Sequence, residues 1–193
     1  MNTAILFLTF NRKEKTLKVL KEILKENPRK IYVSSDGGRT LNEKKIVDQI
    51  RYEIENLIPT SCEIVKFYNK ENLGCKNAVA KAITNFFEFE DRGIILEDDC
   101  FPSHQFFIFC EKYLELFQNN PDVFHISGTN LLGKTNSNYF SKYANVWGWA
   151  TWKNKWNLYN KDLDHIESFN EISYLLKKPF EYQYWKNIFS LTK

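Results

Sequence analysis

The chain is predicted to be an α/β protein with a mostly parallel central sheet and helices on both faces. Three observations predict it. Strand-like and helix-like stretches alternate four times before residue 100. Each strand-like stretch ends in polar residues or glycine. The fourth, Gly93-Ile94-Ile95-Leu96, runs directly into Glu97-Asp98-Asp99-Cys100. Such alternation means parallel strands joined by helical crossovers. Ligands of these sheets bind beyond the carboxyl ends of the strands.

The elements follow in order. Residues 4–10 form an apolar run of strand length, ended by Asn11-Arg12. The N-terminus has no basic region and no small-residue cleavage site, so it reads as this first strand rather than a signal peptide. Over 13–26, Leu17, Leu20, Ile23 and Leu24 recur at helical spacing until Asn27-Pro28. Ile31-Tyr32-Val33-Ser34-Ser35 is a second strand breaking into Asp36-Gly37-Gly38. Residues 42–58 are a second helix with Ile46, Ile50, Ile54 and Leu57 on one side. A third strand at 62–67 leads through Asn69 and Asn72-Leu73-Gly74 to a third helix at 74–87, and the fourth strand is 93–96. A long helix is expected at 103–119, a fifth strand at 123–127 and a short strand at 139–143. Val146-Trp147-Gly148-Trp149-Ala150-Thr151-Trp152 follows. Three Trp so close together favour a pocket wall over a core cluster, because each indole N–H needs a partner. Helices are expected at 167–177 and 181–191, separated by Pro179. Residues 1–160 are read as the ligand-binding core and 161–193 as a C-terminal helical segment.

Composition narrows the function. A net charge of +3, with lysines spread along helices, gives no nucleic-acid footprint. No stretch approaches the ~18 apolar residues of a membrane span. Cys62, Cys75, Cys100 and Cys110 have no paired spacing, which predicts free thiols and a cytoplasmic setting. His104, His125 and His165 do not cluster with them, which argues against zinc; His104 and His125 read as structural.

The chemistry sits at the strand ends. Thr9, Asn11 and Arg12 follow the first, Asp36, Gly37 and Gly38 the second, Asn69, Asn72, Gly74 and Lys76 the third, and Glu97, Asp98 and Asp99 the fourth. Three adjacent acids repel one another and call for positive charge. A hard cation, Mg²⁺ or Mn²⁺, carrying phosphate oxygens on its other face suits them. A solvated acidic turn is the plain alternative, and spacing alone leaves both open. Neither a dinucleotide-binding glycine fingerprint nor a phosphate-loop lysine pattern is present. Phosphates are therefore expected to be held by a metal.

Taken together and in order, Thr9-Phe10-Asn11-Arg12, Ser35-Asp36-Gly37, Asn72-Leu73-Gly74 and Glu97-Asp98-Asp99 resemble the GT-A nucleotide-sugar glycosyltransferases. The Glu-Asp-Asp form is similar to the N-acetylglucosaminyltransferase I type. Ser127-Gly128-Thr129-Asn130 and the Trp segment look like a bacterial branch of that group. The resemblance spans roughly residues 4–160. It implies the GT-A fold and a metal-dependent transfer from a nucleotide-sugar, UDP-sugar favoured, to a cell-surface glycan or lipid-linked acceptor. Asp99 would be the direct ligand of Mn²⁺ or Mg²⁺. Asp98 would face the ribose, Glu97 the sugar, and Asp36 the nucleotide base. Thr9, Asn11 and Arg12 would line the nucleotide pocket, with Trp147 and Trp149 beside the sugar or acceptor.

The sequence departs from that pattern at the catalytic base. Relatives carry it as the Asp of a Trp-Asp-Tyr-Gln-Trp segment, which is absent here. Glu181-Tyr182-Gln183-Tyr184-Trp185 is a partial counterpart, making Glu181 the candidate base. Against it stands the expectation that the chain stops inside an ongoing helix, short of the base, as a catalytically incomplete sugar-nucleotide-binding domain. A sugar-phosphate nucleotidyltransferase would need a glycine-rich basic loop after the first strand. A metal-dependent phosphoesterase would need histidine partners. Neither is found.

Overall fold

A computed structural model of the chain describes residues 1–131, 138–160, 162, 166, 168–174, 176 and 178–192. They fall into two compact units, Met1–Asn157 and Leu158–Lys193. The first unit alternates β1 (Ile5–Thr9), α1 (Lys13–Lys25), β2 (Lys30–Ser35), α2 (Leu41–Leu57), β3 (Glu63–Tyr68), α3 (Cys75–Phe89) and β4 (Arg92–Glu97). It continues with α4 (His104–Leu116), β5 (Ile126–Ser127), β6 (Trp149–Trp152) and α5 (Lys153–Trp156). The strands form one sheet in the order β3-β2-β1-β4-β6-β5. β1 to β4 are parallel, and β6 runs antiparallel to both β4 and β5.

Both faces of the sheet are covered, which is why β1 and β4 carry unbroken apolar runs rather than alternation. On one face Ile5, Phe7, Ile31 and Val33 meet Leu20 and Ile23 of α1, Ile50 and Ile54 of α2, and Phe107 and Leu114 of α4. On the other, Leu6, Tyr32 and Ile95 meet Ala82, Ile83 and Phe86 of α3. The helices have local reasons to start and stop. Thr40 caps α2 by accepting from the Glu43 amide at 3.2 Å, and Ser103 caps α4 by accepting from Phe106. Asn27, at φ 48°, turns the chain out of α1 in the left-handed region that asparagine tolerates.

Three expectations are corrected. Residues 139–143 form no strand. Tyr139 and Phe140 are exposed, and the Ser141 hydroxyl bonds the Tyr143 amide and carbonyl, a local turn that competes with a ladder. The fifth strand shrinks to Ile126–Ser127, and the Trp segment supplies β6, inserted between β4 and β5. Of the helix expected at 167–177, residues 170–173 form α6 (Asn170–Ser173), while 167, 175 and 177 lie outside the described residues. The last helix, α7 (Pro179–Thr192), begins at Pro179, where a missing N–H costs nothing. Within the second unit, Phe169 packs its ring on Tyr182 and Phe189.

Candidate functional site

From β1 the chain steps outward to β2 and β3, then returns to place β4 on the other side of β1. The direction of strand addition therefore reverses between β1 and β4. Crossover loops part at such a point and leave a crevice at the carboxyl ends of the strands. Arg12, just after β1, reaches across it to the acids after β4. One guanidinium nitrogen pairs with Asp99 Oδ2, and the other lies 2.6 Å from Asp98 Oδ1. The Phe10 amide donates to Asp98 Oδ2 at 3.3 Å. Part of the positive charge that the acids call for is thus in the chain itself, a correction to the expectation that it comes from outside.

The acids differ in setting. The Asp98 side chain is 2% exposed and that of Asp99 36%. Asp98 Oδ1 accepts no aligned hydrogen bond among the described residues, so its contact with Arg12 is a charge contact. Burial pushes the Asp98 carboxyl up, against the pull of Arg12 and the Phe10 amide. Burial, and then Asp99 and Asp98, push Glu97 up as well. Burial works against the Arg12 charge, but Asp98 and Asp99 outweigh it and hold the guanidinium above its usual value. Among the described residues, Asp99 Oδ1 is met by the Cys100 thiol alone, at 4.0 Å. Among the described residues no three His, Cys, Asp or Glu side chains converge as a metal cage. An exposed carboxylate of this kind fits a Mg²⁺-like cation that takes one or two protein carboxylates and fills its shell with water and phosphate.

Asp36 ties the second and third strand ends together. It accepts from the Gly37, Leu73 and Gly74 amides and from the Asn69 and Asn72 side chains, at 3.0–3.2 Å. Five donors meet a group with about four lone-pair sites. In this structure those loop donors, rather than an open face, surround the Asp36 carboxylate. Gly74 sits at φ 75° and ψ 157°, a conformation nearly restricted to glycine, and this aims its amide at Asp36. Gly37 passes so close to the next loop that an added Cβ would lie 2.4 Å from the Glu71 carbonyl carbon. Thr9 is buried and donates to the Ser34 carbonyl. Asn11 donates to Glu43 at 3.0 Å, joining the β1 end to the start of α2. Lys76 is exposed in the first turn of α3.

Sequence reasoning missed Arg51. From α2 it donates to the carbonyls of Ser35, Asp36 and Asn69 and to the Ser35 hydroxyl, and it lies 4.7 Å over the Tyr68 ring. The available signal was a cation beside the Ile50–Ile54 stripe, on the helix that follows the Asp36 turn.

The tryptophans separate. Trp149 is 8% exposed, packs in the core on the α3 face and stacks on His125 at 5.1 Å. Trp152 is buried, with its N–H on the Leu114 carbonyl. The pocket-wall reading therefore fails for these two. Trp147 is 61% exposed. Carrying the Ile95↔Trp149 register onward sets it opposite Glu97, and Gly148 lies against Leu96. A cavity of about 820 Å³ runs along α4 and residues 122–130 and 138–145, lined by Phe106, Phe109, Tyr113, Phe124, Thr129 and Asn130 among others. Thr129 bonds the Trp147 carbonyl, which joins this cavity's rim to the Trp147 loop. His104 starts α4 and pairs with Glu26 at 2.9 Å, and His125 is held beneath its usual pKa by burial. Glu181 is in the first turn of α7, in the second unit, and is buried.

No family model and no curated protein matches the chain. Among solved structures it is similar to the mannosyltransferase PcManGT from Pyrobaculum calidifontis in complex with GDP-Man and Mn²⁺, at 16% identity and a TM-score of 0.44. That match covers 65% of this chain and 34% of the other, about a third of the other's length. A likeness at that score does not place the chain in a family.

Proposed function

We propose that the β1/β4 crevice binds a nucleoside-diphosphate sugar, UDP-linked in the first instance, and that the chain is a metal-dependent glycosyltransferase of GT-A type. The observation carrying this reading is the meeting of Arg12, Asp98 and Asp99 across the reversal of strand order. Asp99, with its exposed oxygen, would hold Mn²⁺ or Mg²⁺. When bound, such a cation neutralises charge on the departing diphosphate. Arg12 supplies a planar fork suited to phosphate oxygens. Asn11 borders the nucleotide, and Lys76 adds a cation on the α3 side. Asp36 and Arg51 hold the loops in which Asn72 and Gly74 sit. Glu97 and Trp147, facing each other across β4 and β6, border the donor sugar. The aromatic cavity along α4 is the concave surface offered to a glycan or lipid-linked acceptor. Inverting transfer needs a base within hydrogen-bond reach of the acceptor hydroxyl, and Glu181 is this chain's candidate. The motifs favour the N-acetylglucosaminyltransferase I type.

Calorimetry of UDP and GDP, with Mn²⁺ and with EDTA, tests the reading. Binding is expected to need the metal, and Asp99→Ala is expected to abolish this metal-dependent binding while leaving the thermal melt unchanged. Equal affinity with and without metal would overturn it. A hydrolysis assay on UDP-sugars then separates an enzyme from a binding module: metal-dependent binding without turnover assigns the latter.

A further inference from the structure

We propose that Arg12 is an exchangeable counter-ion: it stands in for the divalent cation at Asp99 and yields that carboxylate when metal and diphosphate arrive together. The inference rests on the nucleotide-sugar reading above and assigns a positioning residue that governs the order of binding.

The two halves of the Arg12 grip are unequal. Its partner Asp98 is 2% exposed and anchored by the Phe10 amide, whereas Asp99 is 36% exposed. Arg12 itself is 43% exposed. A solvent-facing ion pair is weak and breaks readily, while a buried one does not. The Arg12 backbone is pinned, because its carbonyl accepts from both the Thr16 amide and the Thr16 hydroxyl at 2.9 Å. Any exchange is therefore a side-chain swing at a fixed Cα. Arg12 caps nothing with that side chain, so helix α1 does not hold it back.

Two cations cannot share Asp99 without repelling each other. Metal alone, entering at Asp99 Oδ1, meets the Arg12 charge already held at Oδ2, and that repulsion is relieved when the guanidinium swings away to Asp98. Metal arriving with a diphosphate gives Arg12 new anionic partners of matching shape. Nucleotide and metal then strengthen each other's binding, by the same factor in both directions.

The test is Mn²⁺ titration of the full chain, read from the electron paramagnetic resonance signal of free Mn²⁺, without and with UDP. Wild type is expected to bind Mn²⁺ weakly alone and much more tightly with UDP. Arg12→Gln is expected to bind Mn²⁺ alone about tenfold more tightly, as for a latch closed about 90% of the time. Its gain on adding UDP should shrink correspondingly. Arg12→Lys keeps a charge for Asp98 but cannot fork to both acids, so it guards against a folding defect in the Gln variant. It should tighten Mn²⁺ binding by a few fold. Unchanged or weaker Mn²⁺ binding in the folded variants, with wild type still coupled to UDP, overturns the exchange but leaves the function standing. Wild type that binds no Mn²⁺ even with UDP overturns both.

Discussion

At Asp36 one carboxylate gathers three backbone amides and two side-chain amides from loops up to 38 residues apart. Removing it strands those donors in a half-buried setting, at about 1–3 kcal/mol for each one that water cannot reach. Asp36→Ala is therefore expected to lose about 3 kcal/mol in urea unfolding. A loss under about 1 kcal/mol would show that solvent replaces the carboxylate. Glu43 offers a pH-dependent counterpart. Its hydrogen bonds from the Arg39 side chain and amide hold its pKa at about 2, and Asn11 adds another. An acid whose pKa is depressed on folding contributes stability above its ordinary value of about 4, and loses it as pH falls through the folded value. The melting-temperature gap between wild type and Glu43→Gln should be constant from about pH 5 to 8 and close between about pH 4 and 2. A gap that persists at about pH 2 would mean that the carboxylate charge is not what matters. The sequence marked Asp36 and Asn72 as site residues but could not show that they serve each other. That depends on the Cβ-free approach of Gly37 to Glu71 and on the positive φ of Gly74, both set by tertiary contact.

Strand β4 is the element that joins core and site. Its first half is wedged under α3: a Cβ on Gly93 would stand 2.2 Å from Phe86 Cζ and 3.2 Å from the Ala4 carbonyl oxygen. Phe86 is fully buried and edge-on to Tyr32 at 4.9 Å, so it has little room to retreat. Gly93→Ala is expected to cost about 1–3 kcal/mol by overpacking. Unchanged stability in chemical denaturation would mean that α3 yields. Four strands and three helices were legible to within one or two residues, because covered strands are continuous apolar runs and their helices carry one apolar stripe. β6 was not. Trp149-Ala150-Thr151-Trp152 is buried at every position, and its two indoles resemble a ligand platform as much as a strand. The Leu114 carbonyl for one indole, and the His125 and Trp156 rings for the other, are partners brought in by folding. Residues 139–143 failed for the opposite reason: the right residue types, with Tyr139 and Phe140 left exposed.

For the whole molecule, strand order mattered more than strand content. The alternation in the sequence implied a parallel sheet whose polar ends share one edge. It did not say that β4 adds on the far side of β1, which is what sets Arg12 against residues 87 positions away. Both core clusters, from Ala4 to Trp152, lie within the first unit, and so does Trp156, which packs against the second cluster. The switch-point residues and the Asp36 knot lie there too. A chain ending at Asn157 therefore retains its own apolar interior and every residue proposed to touch nucleotide or metal. It is expected to unfold in one cooperative transition. Its melting temperature should stay within about 4 °C of the full chain, a shift corresponding to about 1 kcal/mol for a domain of this size. Mn²⁺-dependent UDP binding should persist, while any sugar transfer seen in the full chain should vanish with Glu181. Non-cooperative melting of the shortened chain would mean that the first unit does not fold by itself. Transfer surviving in it would remove Glu181 from the mechanism and place the base among the carboxylates of the first unit.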